Sequence, residues 1–211
     1  MSEPFLGLLL LDTHFPRLPG DAGRPDSYRM PVRAAVVQGA SPQRVVREAD
    51  PALLQPFVDT ARALVADGAR AITTSCGFLV RWQAELQAAV PVPVWTSSLL
   101  LLPQLQCPGV LTVDAQALAC VPLAAATPVA GLAPGCHLQR TLLDNLHTLD
   151  ADQAEADAVG AARRLLAENP ELTDVVLECT NLPPYAEAIS RATRRPVHHL
   201  LSLVHERWEH L

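Results

Sequence analysis

The stretch Gly7-Leu8-Leu9-Leu10-Leu11-Asp12 is an apolar run that opens with glycine and closes with aspartate, and it recurs 102 residues later as Gly109-Val110-Leu111-Thr112-Val113-Asp114. Two further pairs of strand-like stretches occur in the same order at an offset of 103 residues: 71–76 with 174–179, and 93–96 with 196–199. Three pairs with nearly equal offsets, each close to half of the 211-residue chain, predict a duplicated structural unit.

Segments with helical spacing separate the strand-like stretches: 51–66, 77–88, 115–120, 151–168, 182–192 and 201–208. Alternation of strand and helix is typical of parallel sheets that are covered by helices. We therefore predict an α/β protein of two similar lobes, residues 1–105 and 106–200, each a parallel sheet flanked by helices. A pseudo-twofold axis would relate the lobes, with the functional site in the cleft between them. The segment 201–211 would pack back on the first lobe.

The charge composition excludes several classes of function. The chain has 16 basic and 22 acidic side chains and a net charge of −6, so we expect no nucleic-acid partner. All 16 basic residues are arginine. Without lysine the chain cannot form a pyridoxal-phosphate Schiff base or the lysine contact of a phosphate-binding loop. Any carbon-acid chemistry is therefore expected to proceed without a cofactor.

The sequence also predicts where the protein resides. No basic stretch precedes the first apolar run, which Asp12 ends, so we expect no signal peptide. The charge-free stretch 86–113 is interrupted by four prolines, which argues against a membrane span. Five cysteines, an odd number, together with the lack of an export signal predict reduced thiols and a cytoplasmic location.

The five cysteines divide into two groups. Cys107, Cys120 and Cys136 are predicted to be packing residues, because a free cysteine is most often a small buried apolar side chain. Cys76 and Cys179 differ from them, because they occupy matching positions of the repeat and have polar neighbours. No cysteine is paired with another cysteine or with histidine at the spacing of a zinc site, so we expect no metal centre.

Polar and titratable residues follow the predicted strands: Asp12, Cys76, Thr96, Asp114, Cys179 and His199. In open α/β sheets, ligands bind beyond the carboxyl ends of the strands. Two cysteines on opposite sides of one α-carbon can exchange its proton, because one starts as the thiolate and the other as the thiol. A helix that begins after each cysteine would favour the thiolate through its dipole.

One segment, 12–33, interrupts the alternation with four prolines, two glycines and four arginines. Connections of this length are typically lids or binding loops, although a solvated connector is the alternative. The arginines could attract a carboxylate substrate.

Three stretches carry a resemblance to a known family: "AITTSCGF" at 71–78, "VPVWTSSLL" at 92–100 and "VVLECTNLPPY" at 175–185. The Cys-Thr-Asn-Leu-Pro run in the last of them is the most specific. Through these stretches the whole chain resembles the aspartate/glutamate/hydantoin racemase superfamily. The resemblance implies two α/β lobes with one catalytic cysteine from each, racemisation without a cofactor, and a homodimer.

Carried over by position, the resemblance implies that Cys76 and Cys179 are the acid/base thiols. The substrate would be a small carboxylate, and the residues predicted to contact it are Asp12, Thr13, Thr74, Ser75, Gly77, Ser97, Thr180, Asn181 and His199. His199 could be either a proton donor or a structural histidine.

The chain also departs from the family pattern. Glu178 stands where many relatives carry glycine, and a carboxylate there would either raise the pKa of the neighbouring thiol or point away from it. His198, His199 and the loop that begins at Asp12 are further departures. The superfamily includes decarboxylases that keep one catalytic cysteine, and the presence of two favours racemisation.

We predict a cofactor-independent racemase or epimerase of aspartate-like, glutamate-like or hydantoin-like substrates. Two alternatives remain open. One is a cis–trans isomerase of an unsaturated dicarboxylate that uses a cysteine nucleophile. The other is a non-catalytic protein that binds a small acid.

Overall fold

Two parallel four-stranded sheets form the two lobes of the computed structural model, which describes residues 3–119, 121, 123 and 127–211. The first sheet consists of β1 (Phe5–Leu10), β2 (Val32–Val36), β3 (Ala69–Thr74) and β4 (Val94–Trp95), in the order β2-β1-β3-β4. The second consists of β5 (Pro108–Thr112), β6 (Val129–Gly131), β7 (Asp174–Leu177) and β8 (Val197–His198), in the order β6-β5-β7-β8. The equal strand orders and the parallel pairing confirm the predicted α/β fold of two similar lobes.

Helices fill the connections between the strands. The α-helices are α1 (Leu54–Ala66), α2 (Gln83–Ala89), α3 (Ala115–Leu118), α4 (His137–Leu143), α5 (Ala151–Glu168), α6 (Ala186–Thr193) and α7 (Leu200–Trp208). Tighter 3₁₀ turns lie at Pro25–Ser27, Pro51–Leu53, Gly77–Trp82, Ser98–Gln104 and Pro183–Tyr185, and a π-helix at Gln43–Arg47. The helices predicted at 77–88 and 182–192 therefore each begin as a 3₁₀ turn.

Among the described strands and α-helices, β2, β6 and α4 were not predicted from the sequence. Both strands lie at the edge of their sheet, and none of their residues is fully buried. An edge strand has one neighbour instead of two, so its apolar pattern is weak. β2 also begins inside the segment 12–33 that was predicted as a loop, and the irregular part of that loop ends at Pro31. Of the helix predicted at 115–120, Cys120 lies outside the described residues.

The C-terminal helix α7 packs against the first sheet. Its buried side chains are Leu200, Leu201, Leu203 and Val204, and they form one cluster with Leu6, Leu8 and Ala71 of β1 and β3. Burial of a leucine side chain contributes about 1.5–3 kcal/mol, so this contact stabilises the first lobe substantially.

The two lobes meet at the carboxyl ends of their central strands. Thr180 Oγ1 donates to the carbonyl of Ser75 across 2.6 Å, and Ser98 Oγ donates to the carbonyl of Leu177 across 2.6 Å. These bonds bring the ends of β3 and β7 face to face. Within the described part of the chain, no helix has both the length and the apolar character needed to cross a membrane.

Candidate active site

Cys76 and Cys179 lie two residues beyond the ends of β3 and β7, at matching positions of the two lobes. They are 6% and 5% exposed, and both line the same small cavity. The cavity has a volume of about 30 Å³, which corresponds to roughly two water molecules. A negative charge on Cys76 would raise the pKa of Cys179, so the two sulfurs are close enough to interact electrostatically. The structure thus brings the two predicted thiols together around one space.

The cavity walls are mainly apolar: Leu11, Phe15, Pro42, Val46, Phe78, Val113, Leu142 and Leu143 contribute to them. Among the described residues of the lining, Arg17 is the only charged side chain. Phe15 and Arg17 both belong to the loop that connects β1 to β2. This loop therefore forms one wall of the space around the thiols.

The guanidinium of Arg17 is held in place from several sides. Its Nη1 donates to Asp21 Oδ1 across 2.7 Å, and its Nη2 donates to Thr13 Oγ1 across 3.0 Å. The guanidinium carbon lies 4.8 Å from the ring centroid of Phe15. A guanidinium has five N–H donors, so donors remain for a carboxylate that enters the cavity.

Asp21 connects this arginine to the second lobe. Its buried carboxylate accepts hydrogen bonds from Arg17 and from the Gly23 amide at Oδ1, and from Asn181 Nδ2 at Oδ2, each across 2.7 Å. Asn181 Oδ1 in turn accepts from Cys179 Sγ across 3.7 Å. One chain of polar contacts therefore runs from the guanidinium in the loop to a thiol in the cavity.

Burial raises the pKa of Cys76 to about 12, and the nearby Glu178 carboxylate adds to this effect. The backbone amide of Phe78 and the charges of Arg81 and Arg17 act in the opposite direction. Burial also raises the pKa of Cys179 well above its ordinary value, and there Glu178, Cys76 and Asp21 all add to the effect. The Asn181 backbone amide lowers the pKa of Cys179, whereas two arginine charges lower that of Cys76, which favours Cys76 as the thiol that becomes a thiolate.

Glu178 is a buried carboxyl group beside the two thiols. Its side chain is 0% exposed, and its Oε2 accepts a hydrogen bond from Thr112 Oγ1 across 2.6 Å. Its Oε1 has no hydrogen-bond partner among the described residues. Burial raises the pKa of Glu178 from 4.5 to about 7, while Thr112 and Arg81 limit the increase.

This raised pKa makes stability depend on pH in a defined direction. The folded protein keeps the Glu178 proton up to about pH 7, whereas the unfolded chain loses it near pH 4.5. The contribution of Glu178 to the free energy of unfolding should therefore fall by about 3 kcal/mol as the pH rises through this window, and the loss should level off above it.

We expect Glu178→Gln to remove this contribution, so the free energy of unfolding of the variant relative to that of the wild type should rise by about 3 kcal/mol between pH 4.5 and pH 7. Urea denaturation at several pH values measures the difference. Glu171→Gln, at an exposed position, is the matched control and should follow the wild-type curve. A constant difference between Glu178→Gln and the wild type across this range would contradict the assignment.

The residues predicted to form the site divide into two groups. Those that line the cavity are Ser75, Cys76, Gly77, Cys179, Thr180 and Asn181. Those that lie outside its wall are Asp12, Thr13, Thr74, Ser97 and His199.

In the second group, the polar side chains have other partners. Thr74 Oγ1 donates to the carbonyl of Thr96 across 2.8 Å, and Ser97 Oγ accepts from the Leu99 amide and caps the following 3₁₀ turn. His199 caps α7, because its Nδ1 accepts from the Ser202 amide, and burial lowers its pKa to about 4. The structure therefore places His199 in the structural role that the sequence left open.

Thr13 and Asp12 do not line the cavity, and Thr13 contacts a residue that does. Thr13 Oγ1 accepts from Arg17, so it orients a residue of the cavity wall, and the Asp12 amide donates to the carbonyl of Ala40. The contacts made by Phe15, Arg17 and Asp21 were not predicted from the sequence. The one feature of the sequence that pointed to this loop was the cluster of arginines in the 12–33 segment.

In the described ranges, no group of three or more histidine, cysteine or acidic side chains is arranged to hold a metal ion. Cys107 and Cys136 are half-buried and lie outside the cavity of the two thiols.

Comparison with solved structures relates the fold to known enzymes. No protein-family model matches the chain. Allantoin racemase from Klebsiella pneumoniae has a TM-score of 0.66 at 13% identity, with 98% of this chain and 87% of that chain covered. Unliganded arylmalonate decarboxylase has a TM-score of 0.60 at 20% identity, with 92% and 86% covered. The chain therefore shares the fold of these two enzymes, which confirms the two-lobed α/β fold that the resemblance implied.

Curated proteins similar in sequence carry a different activity in their names. A dimethylsulfoniopropionate lyase of Durusdinium sp. clade D is 28% identical over 92% of this chain and 70% of its own length. Dimethylsulfoniopropionate lyase 7 of Emiliania huxleyi is 27% identical over 92% of this chain and 63% of its own length. The chain thus spans about two thirds of the length of these relatives.

Proposed function

We propose that the chain is a lyase that cleaves a small sulfonium carboxylate, dimethylsulfoniopropionate or a close analogue, after removing a proton from the carbon next to the carboxylate. The observation that carries this proposal is that two buried thiols and Arg17, the one charged side chain among the described lining residues, share one small, mainly apolar cavity. The sequence relatives named as dimethylsulfoniopropionate lyases support the choice of substrate.

The reaction needs one base and one carboxylate-binding group. The Cys76 thiolate takes the α-proton, and the electron pair of that C–H bond becomes the double bond of acrylate. The bond between the β-carbon and sulfur breaks, and its electron pair leaves on dimethyl sulfide. The proton then passes from the Cys76 thiol to solvent, which restores the starting state.

The composition of the cavity wall favours a sulfonium over an amino acid as the substrate. An ammonium group carries N–H donors that require acceptors when they are buried. A sulfonium carries methyl groups instead, which suit the rings of Phe15 and Phe78. Its carboxylate would pair with the free donors of Arg17.

The raised thiol pKa values fit a cationic substrate as well. A positive charge close to a thiol favours the thiolate and lowers its pKa. A bound sulfonium would therefore help to form the base that attacks it. In its absence both thiols stay protonated, since burial raises the pKa of each.

The cavity must widen before such a substrate can bind. A volume of about 30 Å³ is too small for a carboxylate with several carbons. The loop that carries Phe15 and Arg17 is held by the bond from the Ala22 amide to the Thr180 carbonyl and by that from Asn181 to Asp21. We infer that this loop moves as a lid.

Product analysis tests the proposal directly. The purified protein should convert dimethylsulfoniopropionate to equal amounts of acrylate, followed by proton NMR, and dimethyl sulfide, followed by headspace gas chromatography. Heat-denatured protein is the control for spontaneous elimination. Absence of both products under conditions in which the protein is folded would refute the lyase assignment.

A racemase or epimerase of a small amino-acid-like carboxylate is the second candidate. It is favoured by the position of the thiols, which reach the cavity from opposite lobes, since racemisation needs a proton donor on each face whereas elimination needs one base. Deuterium wash-in at the α-carbon of aspartate, glutamate and hydantoins, with inversion, would support it. Conversion of maleate to fumarate in the same panel would instead indicate the dicarboxylate isomerase.

Arg17→Gln tests the carboxylate-binding role. We expect kcat/KM for the lyase reaction to fall about a hundredfold, because a charge-assisted contact to the carboxylate is worth about 2–3 kcal/mol. Arg29→Gln is the matched control, since Arg29 belongs to the same loop, is exposed and does not line the cavity. Equal kcat/KM in both variants would exclude Arg17 as the carboxylate-binding group.

A further inference from the structure

Glu178 is a buried acid that the proposed reaction does not use. It lies at the junction of the lobes: Thr112 of β5 donates to one oxygen, and Gly77 of the first lobe faces the other. A methyl group built on Gly77 would lie 2.5 Å from Glu178 Oε1. Because Gly77 is also part of the cavity wall, the unpaired oxygen lies directly behind that wall.

This arrangement is costly if its only role is to hold the fold. A buried carboxylate with an unpaired oxygen costs free energy that a glutamine or an apolar side chain would avoid. An unused acceptor beside a cavity wall is therefore a candidate for an interaction with whatever enters the cavity.

The charged groups around Glu178 are few. Arg81 is the cation that lowers its pKa, and it donates to the carbonyls of Phe78 and Val45 instead of to a carboxylate. The thiols of Cys76 and Cys179 are the titratable groups whose pKa Glu178 raises. Arg17, on the loop side of the cavity, is already paired with Asp21.

We propose that Glu178 determines the charge specificity of the site: its carboxylate makes the space between the two thiols favour a cationic group, a sulfonium or a quaternary ammonium, over a neutral or anionic one. The inference rests on the proposed function in one respect, namely that the substrate binds in this cavity. Arg17 then receives the carboxylate of a zwitterion and Glu178 attracts its cation. Dicarboxylates are disfavoured, because their second carboxylate would meet Glu178.

Two isosteric ligands isolate the charge. The probe 3-(trimethylammonio)propionate and the probe 4,4-dimethylpentanoate share shape and carboxylate, and they differ in whether the branched centre is a cationic nitrogen or a neutral carbon. Isothermal titration calorimetry at pH 8 measures both dissociation constants for the wild type, Glu178→Gln and the exposed control Glu171→Gln.

We expect the wild type and Glu171→Gln to bind the cationic probe at least about tenfold more tightly than the neutral one, and Glu178→Gln to lose that preference. Lowering the pH from 8 to 6 should reduce the preference of the wild type itself, since Glu178 takes up its proton in this range. The pH series tests the inference even if the variant does not fold. An unchanged preference in both experiments, or no binding of either probe, would overturn it.

The outcome separates this inference from the lyase assignment. A Glu178-dependent preference for the cation without release of acrylate would leave the charge specificity standing and refute the lyase. Release of acrylate from dimethylsulfoniopropionate, with the same ligand preference in wild type and Glu178→Gln, would support the lyase assignment and refute the role of Glu178 in charge specificity.

Discussion

Replacement of Cys76 by serine should lower the rate of α-proton removal by at least about a thousandfold, the largest effect that we expect from any single substitution. A serine hydroxyl is a far weaker acid than a thiol, so it supplies almost no base at neutral pH. The shape of the side chain is nearly conserved, and the fold should survive the change. Release of acrylate under single-turnover conditions measures the chemical step.

The corresponding change at Cys179 separates the two candidate reactions. In a lyase, Cys179 is not the base, and Cys179→Ser should retain far more activity than Cys76→Ser. In a racemase, each thiol serves one enantiomer, so both substitutions should abolish inversion while one-sided deuterium exchange persists. Cys107→Ser is the matched control, because Cys107 lies outside the cavity. More than a tenth of wild-type activity in Cys76→Ser would show that another group is the base.

The repeat in the sequence carried most of the information about the fold. Buried central strands such as β1 and β5 consist of continuous apolar residues, and their offset of about half the chain revealed the duplication. The same argument placed Cys76 and Cys179 at equivalent strand ends. Edge strands give no such signal: β2 includes Arg33 and has no fully buried residue.

The residues of the candidate site were harder to predict from the sequence than the fold. A hydroxyl group near a cleft can bond to the surrounding backbone instead of to a substrate. Thr74 and Ser97 were chosen as polar residues at strand ends, yet the backbone around them uses their side chains. The contribution of Arg17 depends on how an irregular loop folds over the cavity. No periodicity in sequence determines which of four arginines in such a loop faces inward.

The part played by Glu178 could not be derived from sequence for a similar reason. Its position before Cys179 is visible in the sequence, and two outcomes were then open: an effect on the thiol pKa, or a side chain that points away. In the structure it raises the pKa of both thiols. The contact that orients it comes from Thr112 in a neighbouring strand, 66 residues away in the chain.

Gly77→Ala should be the most destabilising single-methyl addition in the site. A Cβ at this position would lie 2.1 Å from the carbonyl oxygen of Glu178 and 2.5 Å from its Oε1. The first of these atoms belongs to the backbone and cannot rotate away, so relief requires the two lobes to move apart. Overpacking of this kind costs about 3 kcal/mol, which corresponds to a decrease in Tm of roughly 6–12 °C for a chain of this size.

Gly160→Ala is the matched control for that substitution. Gly160 lies within α5, and the nearest atom that its added methyl would meet is Arg164 Nη1 at 3.8 Å. Alanine in a helix interior is more favourable than glycine by about 0.5–1 kcal/mol, so this variant should be slightly more stable than the wild type. Urea denaturation monitored by circular dichroism compares the two. A Gly77→Ala protein as stable as Gly160→Ala would mean that the lobes can separate at little cost. The close approach of Gly77 to Glu178 would then not be what fixes the carboxyl group behind the cavity wall.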